Sequence, residues 1–188
     1  LAGARRDEAS KLGIGRTYQI PRPFSDLTVA ENIAMPLMNR GDASATLADS
    51  LGLATQFAAY VGLTDRLTDR ADSLNLQQKK ALELARALAC RPRLLLVDEV
   101  ASGLTPVEVR TFVNHIRELR DDYGITIIWV EHIFSALAQV VDRVIVLEQG
   151  SIIADGPLDT VVRDERVLST YLGSAAPLGS AAPGDAGC

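Results

Sequence analysis

The chain has 188 residues, 47% of them hydrophobic, with 24 acidic side chains against 19 basic ones and a formal net charge of −5. At about 150 residues per domain this length allows one domain with room for a subdomain, and a core of useful size. No apolar run approaches the ~18 residues of a membrane span, and the acidic balance excludes a broad nucleic-acid footprint, which needs clustered positive charge.

The two cysteines, Cys90 and Cys188, belong to neither a disulfide framework nor a metal-ligand cluster, which fits a reducing cytoplasm. No secretory leader pattern precedes the first element, and Leu1 in place of Met points to a fragment or a processed chain. Residues 1–15 are charged and poorly periodic, and Gly13-Ile14-Gly15 reads as a turn into a short extended segment from Arg16 to Gln19. Pro21 and Pro23 forbid regular pairing beyond it. Thr28-Val29-Ala30-Glu31 has the spacing of a capping box and starts a helix, which Pro36 should end or kink. A second helix is expected from about Ser44 to Tyr60, with Leu47, Leu51, Ala54, Ala58 and Val61 at helical spacing and Gly62 closing it. The next helix, about Leu76 to Cys90, has Asn75 and Gln78 as a cap pair and is apolar over most of its circumference, as a largely buried helix is. Lys79 and Lys80 read as its solvated face.

Pro92 separates that helix from Arg93-Leu94-Leu95-Leu96-Val97-Asp98-Glu99. An unbroken apolar run of strand length suits a central parallel strand covered by helices on both faces, and its two carboxylates then fall at the C-terminal edge, where open α/β sheets bind ligands. In nucleotide hydrolases of this build the first acid holds Mg²⁺ and the second polarises the attacking water. The alternative, a buried strand that merely ends in two solvated acids, stays open on these residues alone. Thr105-Pro106-Val107-Glu108 combines a capping box with proline at the first helical position, and Val109, Phe112, Val113, Ile116 and Leu119 form the apolar face of the helix it opens. Gly124 stops it. Ile125 to Val130 is a second continuous apolar run and delivers Glu131-His132 to the same edge. A short helix at about Ile133 to Val141, strands at Arg143–Leu147 and Ser151–Ala154, and two short helices after Gly156-Pro157 complete the pattern. Residues 174–188, with Ser-Ala-Ala-Pro occurring twice, read as a flexible Ala/Pro/Gly tail.

The order of these pieces, with Gln19 after a short strand, a helical insertion, Gln77-Gln78-Lys79-Lys80 opening a helix, Val97-Asp98-Glu99, Ser102-Gly103-Leu104 and Glu131-His132, resembles the ATP-binding subunit of an ABC transporter. Within that superfamily Gly13-Ile14-Gly15-Arg16-Thr17-Tyr18-Gln19, Arg22-Pro23-Phe24, Leu27-Thr28-Val29-Ala30-Glu31-Asn32 and Tyr171-Leu172-Gly173 are similar to the importers of branched-chain amino acids. The resemblance implies an α/β, P-loop NTPase-like (RecA-like) parallel sheet core at about 91–173, with a helical subdomain at about 27–90, the two making a partial nucleotide-binding domain over 1–173. It implies ATP and Mg²⁺ as ligands, with Gln19 and Asp98 toward the metal, Glu99 as the catalytic carboxylate and His132 as the histidine that contacts the γ-phosphate. Ser73 to Gln77 falls on the family's signature, so Asn75, Gln77 and Gln78 would face nucleotide held by a second ATP-binding subunit. Transmembrane permease subunits are the other implied partners, no nucleic acid is, and the chain would be cytoplasmic and peripheral on the inner face of the cell membrane. His115 lacks such a context and reads as structural.

The departures are specific. No G-x-x-x-x-G-K-[ST] occurs in the 188 residues, so the amides and lysine that cradle phosphates are missing. In relatives they lie upstream on the first core strand, between the strands equivalent to Ile125–Val130 and Arg143–Leu147. Leu76 replaces the signature glycine that allows close approach to a γ-phosphate, Val100 stands where proline follows the glutamate, and Thr105 replaces the usual Asp or Asn. Two functions of different class follow: part of an ATPase subunit that drives import, or a non-catalytic, degenerate or truncated module that docks on a permease or partner ATPase. A DNA-repair or translation ATPase is disfavoured by the acidic balance and the importer-like stretch after Gln19.

Overall fold

Residues 6–38 and 46–172 are described by a computed structural model of the chain. The proposed tail and the start expected at Ser44 lie outside the described residues. Two compact units divide at Val140 and Val141.

In the first unit, helix α1 (Arg6–Lys11) leads into strand β1 (Ile14–Arg16), followed by α2 (Val29–Met38), α3 (Leu47–Tyr60), α4 (Leu76–Ala89), β2 (Leu94–Asp98), α5 (Pro106–Asp121), β3 (Thr126–Val130) and α6 (Phe134–Leu137). The helix starts lie where the capping logic puts them. Thr28 and Glu31 exchange backbone and side-chain bonds at 2.7 and 3.2 Å, and the same reciprocal box closes over Asn75–Gln78 and Thr105–Glu108. α3 starts later than expected because Thr46 caps it with Asp49, a box the sequence reading passed over. α2 runs through Pro36 to Met38, so the proline does not end the helix at its own position. Buried Asn32 ties the preceding loop to α2: its Oδ1 accepts from Phe24 N at 2.8 Å and its Nδ2 donates to the carbonyls of Phe24 and Thr28 at 3.0 and 2.9 Å.

The sheet is parallel in the order β1-β2-β3, with Ile14 beside Leu94 and Asp98 beside Val130. The expected parallel core is thus present, with the acidic strand at its centre. α4 presses on β1 at Gly15, where a Cβ would lie 2.9 Å from the Ala87 carbonyl, so only glycine fits. On one face Leu95 and Val97 are buried, and Phe112 of α5 meets Trp129 edge-on at 5.8 Å between ring centroids.

The opposite face corrects the expectation of helices on both sides. There Leu94 and Leu96 are half-buried, and Ile128 and Val130 are 53% and 57% exposed. An unbroken apolar run records what the strand can bury; cover depends on elements elsewhere, and none among the described residues of the first unit buries Ile128 or Val130. β3 also has no strand partner on its outer edge among the described residues. An apolar strand with an open edge templates association, so the purified chain should elute in size-exclusion chromatography as oligomers, and Ile128→Lys should shift it toward monomer. A wild-type chain that stays monomeric at micromolar concentration would refute this.

α3 and α5 meet at an aromatic cluster. The Tyr60 hydroxyl donates to the His115 carbonyl at 3.1 Å, the two rings lie 5.1 Å apart, and Tyr123 approaches Tyr60 edge-on at 6.3 Å. Burial pushes the His115 imidazole below its ordinary value, partly opposed by Glu118. The folded state therefore binds this proton less readily than the unfolded chain, and the stability His115 contributes is complete above about pH 6.5 and lost as pH falls toward its depressed folded value. Thermal midpoints followed from pH 7.5 to 5 should fall less steeply in His115→Gln than in wild type; identical slopes would refute the assignment.

In the second unit β4 (Val144–Glu148) and β5 (Ser151–Gly156) form an antiparallel hairpin through Gln149 and Gly150, both at positive φ (49° and 81°), as a tight hairpin turn requires. Arg143 donates twice to Asp155 at 2.6 Å. Helices α7 (Leu158–Val161) and α8 (Glu165–Val167) follow, the latter running into a π-helical turn over Leu168–Leu172.

Candidate functional site

Three strand ends deliver the site. Beyond β1 the chain stays against β2, with Thr17 N donating to the Leu96 carbonyl at 2.9 Å and Asp98 N to Thr17 Oγ1 at 3.4 Å. This carries Gln19 to the end of β2, where its Nε2 donates to Glu99 Oε2 at 2.6 Å. Glu99 is the first residue past β2 and holds φ at +41°, a left-handed conformation that costs a non-glycine residue about 1–3 kcal/mol. Its N–H is fixed by the Val130 carbonyl at 2.9 Å, so the strain turns the side chain out of the strand line. From the end of β3, His132 Nδ1 lies 4.0 Å from Glu99 Oε2 and 3.4 Å from Glu131 Oε1. Gln19 and His132, from beyond the ends of β1 and β3, therefore flank the Glu99 carboxylate.

Asp98 shares the sheet face of Ile128 and Val130 and takes an ion pair from Arg16 Nη2 at 3.1 Å. Its carboxylate is partly exposed, and a single such carboxylate is the kind of ligand Mg²⁺ takes, with its other positions left to phosphate and water. No group of three or more His, Cys, Asp or Glu side chains that could cage a metal occurs among the described residues, so a site made by protein alone is not what this edge offers.

Asn75, Gln77 and Gln78 stand apart from this trio, at the start of α4. Asn75 Oδ1 accepts from Gln78 N at 2.9 Å and Gln78 Oε1 from Asn75 N at 3.0 Å, so both side chains serve the cap. Leu76 is the first residue of α4, 45% exposed, and its Cδ2 would sit 3.0 Å from a Cβ on Gly103. The helix start and the loop after β2 are thus neighbours.

Lys80 corrects the reading of a solvated face. Lys79 does face outward, reaching the Asp72 carbonyl at 3.3 Å, but one residue on, a rotation of roughly 100°, Lys80 is 3% exposed. Its Nζ donates to the carbonyls of Val100 and Ser102 at 2.6 and 2.5 Å. Burial lowers its pKa, opposed by the charge of Glu131. Glu131, whose side chain has 0% exposure, accepts from Ala101 N at 3.2 Å and from His132 N at 3.1 Å. The available signal was a lysine placed among apolar neighbours on an otherwise buried helix; Arg16, Thr17 and Glu131 carried none.

The sequence model of the family described as ABC transporter matches residues 3–102. The methionine import ATP-binding protein MetN 1 of Rhodococcus jostii is 35% identical over 164 residues, which cover 85% of this chain and 46% of that protein. The high-affinity branched-chain amino acid transport ATP-binding protein LivG of Escherichia coli is 28% identical over 187 residues, 93% of this chain and 73% of its own length. The chain thus spans less than half the length of the first relative and about three quarters of the second. Among solved structures, the ADP conformation of MJ1267, an ATP-binding cassette of an ABC transporter, superposes with a TM-score of 0.76 at 27% identity, over 90% of this chain and 72% of that one.

Proposed function

Because the chain belongs to the ABC transporter family, we propose that it forms part of an ATP-binding subunit that couples ATP binding and hydrolysis to import through transmembrane permease subunits. The observation that carries this reading is the convergence of Gln19 and His132 on Glu99, with Asp98 beside it at the strand edge. A solvated acidic strand end needs neither an amide at 2.6 Å nor a histidine from the adjoining strand.

In this reading Asp98 and Gln19 are the residues that would hold Mg²⁺, which would supply positive charge against the phosphate oxygens. Glu99, oriented by the Gln19 amide, accepts the proton of the water that attacks the γ-phosphorus. His132 keeps Nδ1 toward the carboxylates of Glu131 and Glu99, which leaves Nε2 to face the phosphoryl oxygens on which charge develops. The start of α4, with Asn75, Gln77 and Gln78, faces nucleotide on a second ATP-binding subunit. LivG and MetN 1 serve branched-chain amino acid and methionine transport; the stretch from Gly13 to Asn32 supports branched-chain amino acids for this chain. No helix among the described residues is long and apolar enough to cross a membrane, and the proposed location is peripheral, on the inner face of the cell membrane.

A second reading, a non-catalytic module docked on a permease or partner ATPase, is favoured by Leu76, which stands where the signature carries glycine. The two part in a form of the protein that carries a phosphate loop upstream of Leu1. In the ATPase reading ATP converts monomer to dimer in size-exclusion chromatography, and Glu99→Gln holds the dimer. A form that binds no ATP, or binds it without dimerising, establishes the docking module instead.

A further inference from the structure

The peptide unit joining Val100 to Ala101 is gripped at both ends by buried charges. Its carbonyl accepts from the Lys80 ammonium at 2.6 Å and its N–H donates to the Glu131 carboxylate at 3.2 Å. Lys80 takes the Ser102 carbonyl as well, and the Glu131 carboxylate also accepts from His132 N at 3.1 Å. Val100 and Ala101 are themselves buried. The peptide dipole lies with its negative end on the cation and its positive end on the anion, the orientation that the field between two opposite charges favours, and burial keeps water from screening that field. This unit begins one residue after Glu99, whose positive φ is strained and persists only where its surroundings over-determine it.

We propose that Lys80 and Glu131 are positioning residues that lock the Val100–Ala101 peptide and so hold Glu99 turned toward Gln19 and His132. Neither touches the reacting atoms. Two buried opposite charges, acting on one peptide from its two ends, set the loop that follows Glu99 and the backbone of His132 together, and tie both to α4, whose first turn carries Asn75 to Gln78. The lysine nitrogen meets two carbonyls with two of its donors, and the two carboxylate oxygens each accept from the N–H of a different segment. The inference rests on the proposed function only for what Glu99 does; the clamp is read from contacts that need no nucleotide.

Amide hydrogen exchange followed by mass spectrometry tests this on the 188-residue chain. Lys80→Met keeps the length of the side chain and removes its donors. Exchange in the segments 99–104 and 131–133 should then accelerate about tenfold to a hundredfold, while the C-terminal turns of α5 and the β4–β5 hairpin keep their rates. Glu131→Gln, which retains an acceptor but not the charge, should accelerate the same two segments to a smaller extent, and it decides the matter alone if Lys80→Met does not fold. Unchanged exchange at 99–104, acceleration there without any at 131–133, or an equal acceleration across α5 would overturn the proposal, the last because a merely structural lysine loosens its whole surroundings. A failure of ATP hydrolysis in every form of the protein would refute the proposed function and leave this result standing.

Discussion

Purified by itself, the 188-residue chain is expected to hydrolyse ATP at the uncatalysed rate. Phosphoryl transfer asks little covalent chemistry of a protein and depends on position and charge stabilisation. The chain supplies Glu99 with Gln19 and His132 around it, yet none of its residues form the G-x-x-x-x-G-K-[ST] loop that cradles phosphates. Losing even one preorganised donor to developing charge typically costs a hundredfold to a thousandfold in rate, and here a full set of amides and a lysine is missing. Phosphate release measured with the purified chain and with Glu99→Gln should give the same baseline. Turnover by wild type that vanishes in Glu99→Gln would show that the chain holds ATP by other means.

In a form that carries a phosphate loop and assembles with its partners, Leu76→Gly is expected to raise turnover by about a hundredfold to a thousandfold, the worth of one restored charge-stabilising donor. Amides at a helix N-terminus are a ready anion site, and the Leu76 side chain, exposed at the first position of α4, fills the space through which a γ-phosphate on a second subunit would reach them. The cap does not depend on it, since Asn75 and Gln78 bond each other's backbone, and glycine is tolerated better at a helix start than inside. ATP affinity at the chain's own phosphate loop should stay within a factor of about two, because uniform binding is untouched. A rate that is unchanged or lower in Leu76→Gly, with dimerisation intact, would remove Ser73 to Gln77 from the signature role.

Much of the fold was legible because its signals are local. The capping boxes at Thr28, Asn75 and Thr105 lie within three residues of their partners, and the apolar runs of β2 and β3 are set off by Pro92 and Gly124. The same locality placed Gln19, Asp98, Glu99 and His132 at strand ends, and the resemblance to a known family gave them roles. What stayed hidden depends on contacts distant in the chain. Lys79 and Lys80 are equivalent as letters, and only the approach of the loop after β2, some twenty positions on, makes one a solvated residue and the other a buried cation.

By itself, then, the sequence determined the order of the elements from β1 onward, most of the places where they begin, and the family to which their motifs point, since periodicity and capping act over a few residues; helix α1 and the start of α3 at Leu47 escaped it. Tertiary structure decided that the Gln19 amide, 80 positions away, closes on Glu99, that Glu131 is buried against Ala101, and that one face of the sheet, with Ile128 and Val130, is left bare. These are properties of packing: whether a side chain is covered, paired or exposed is set by whichever distant segment arrives beside it, and no local pattern carries that information.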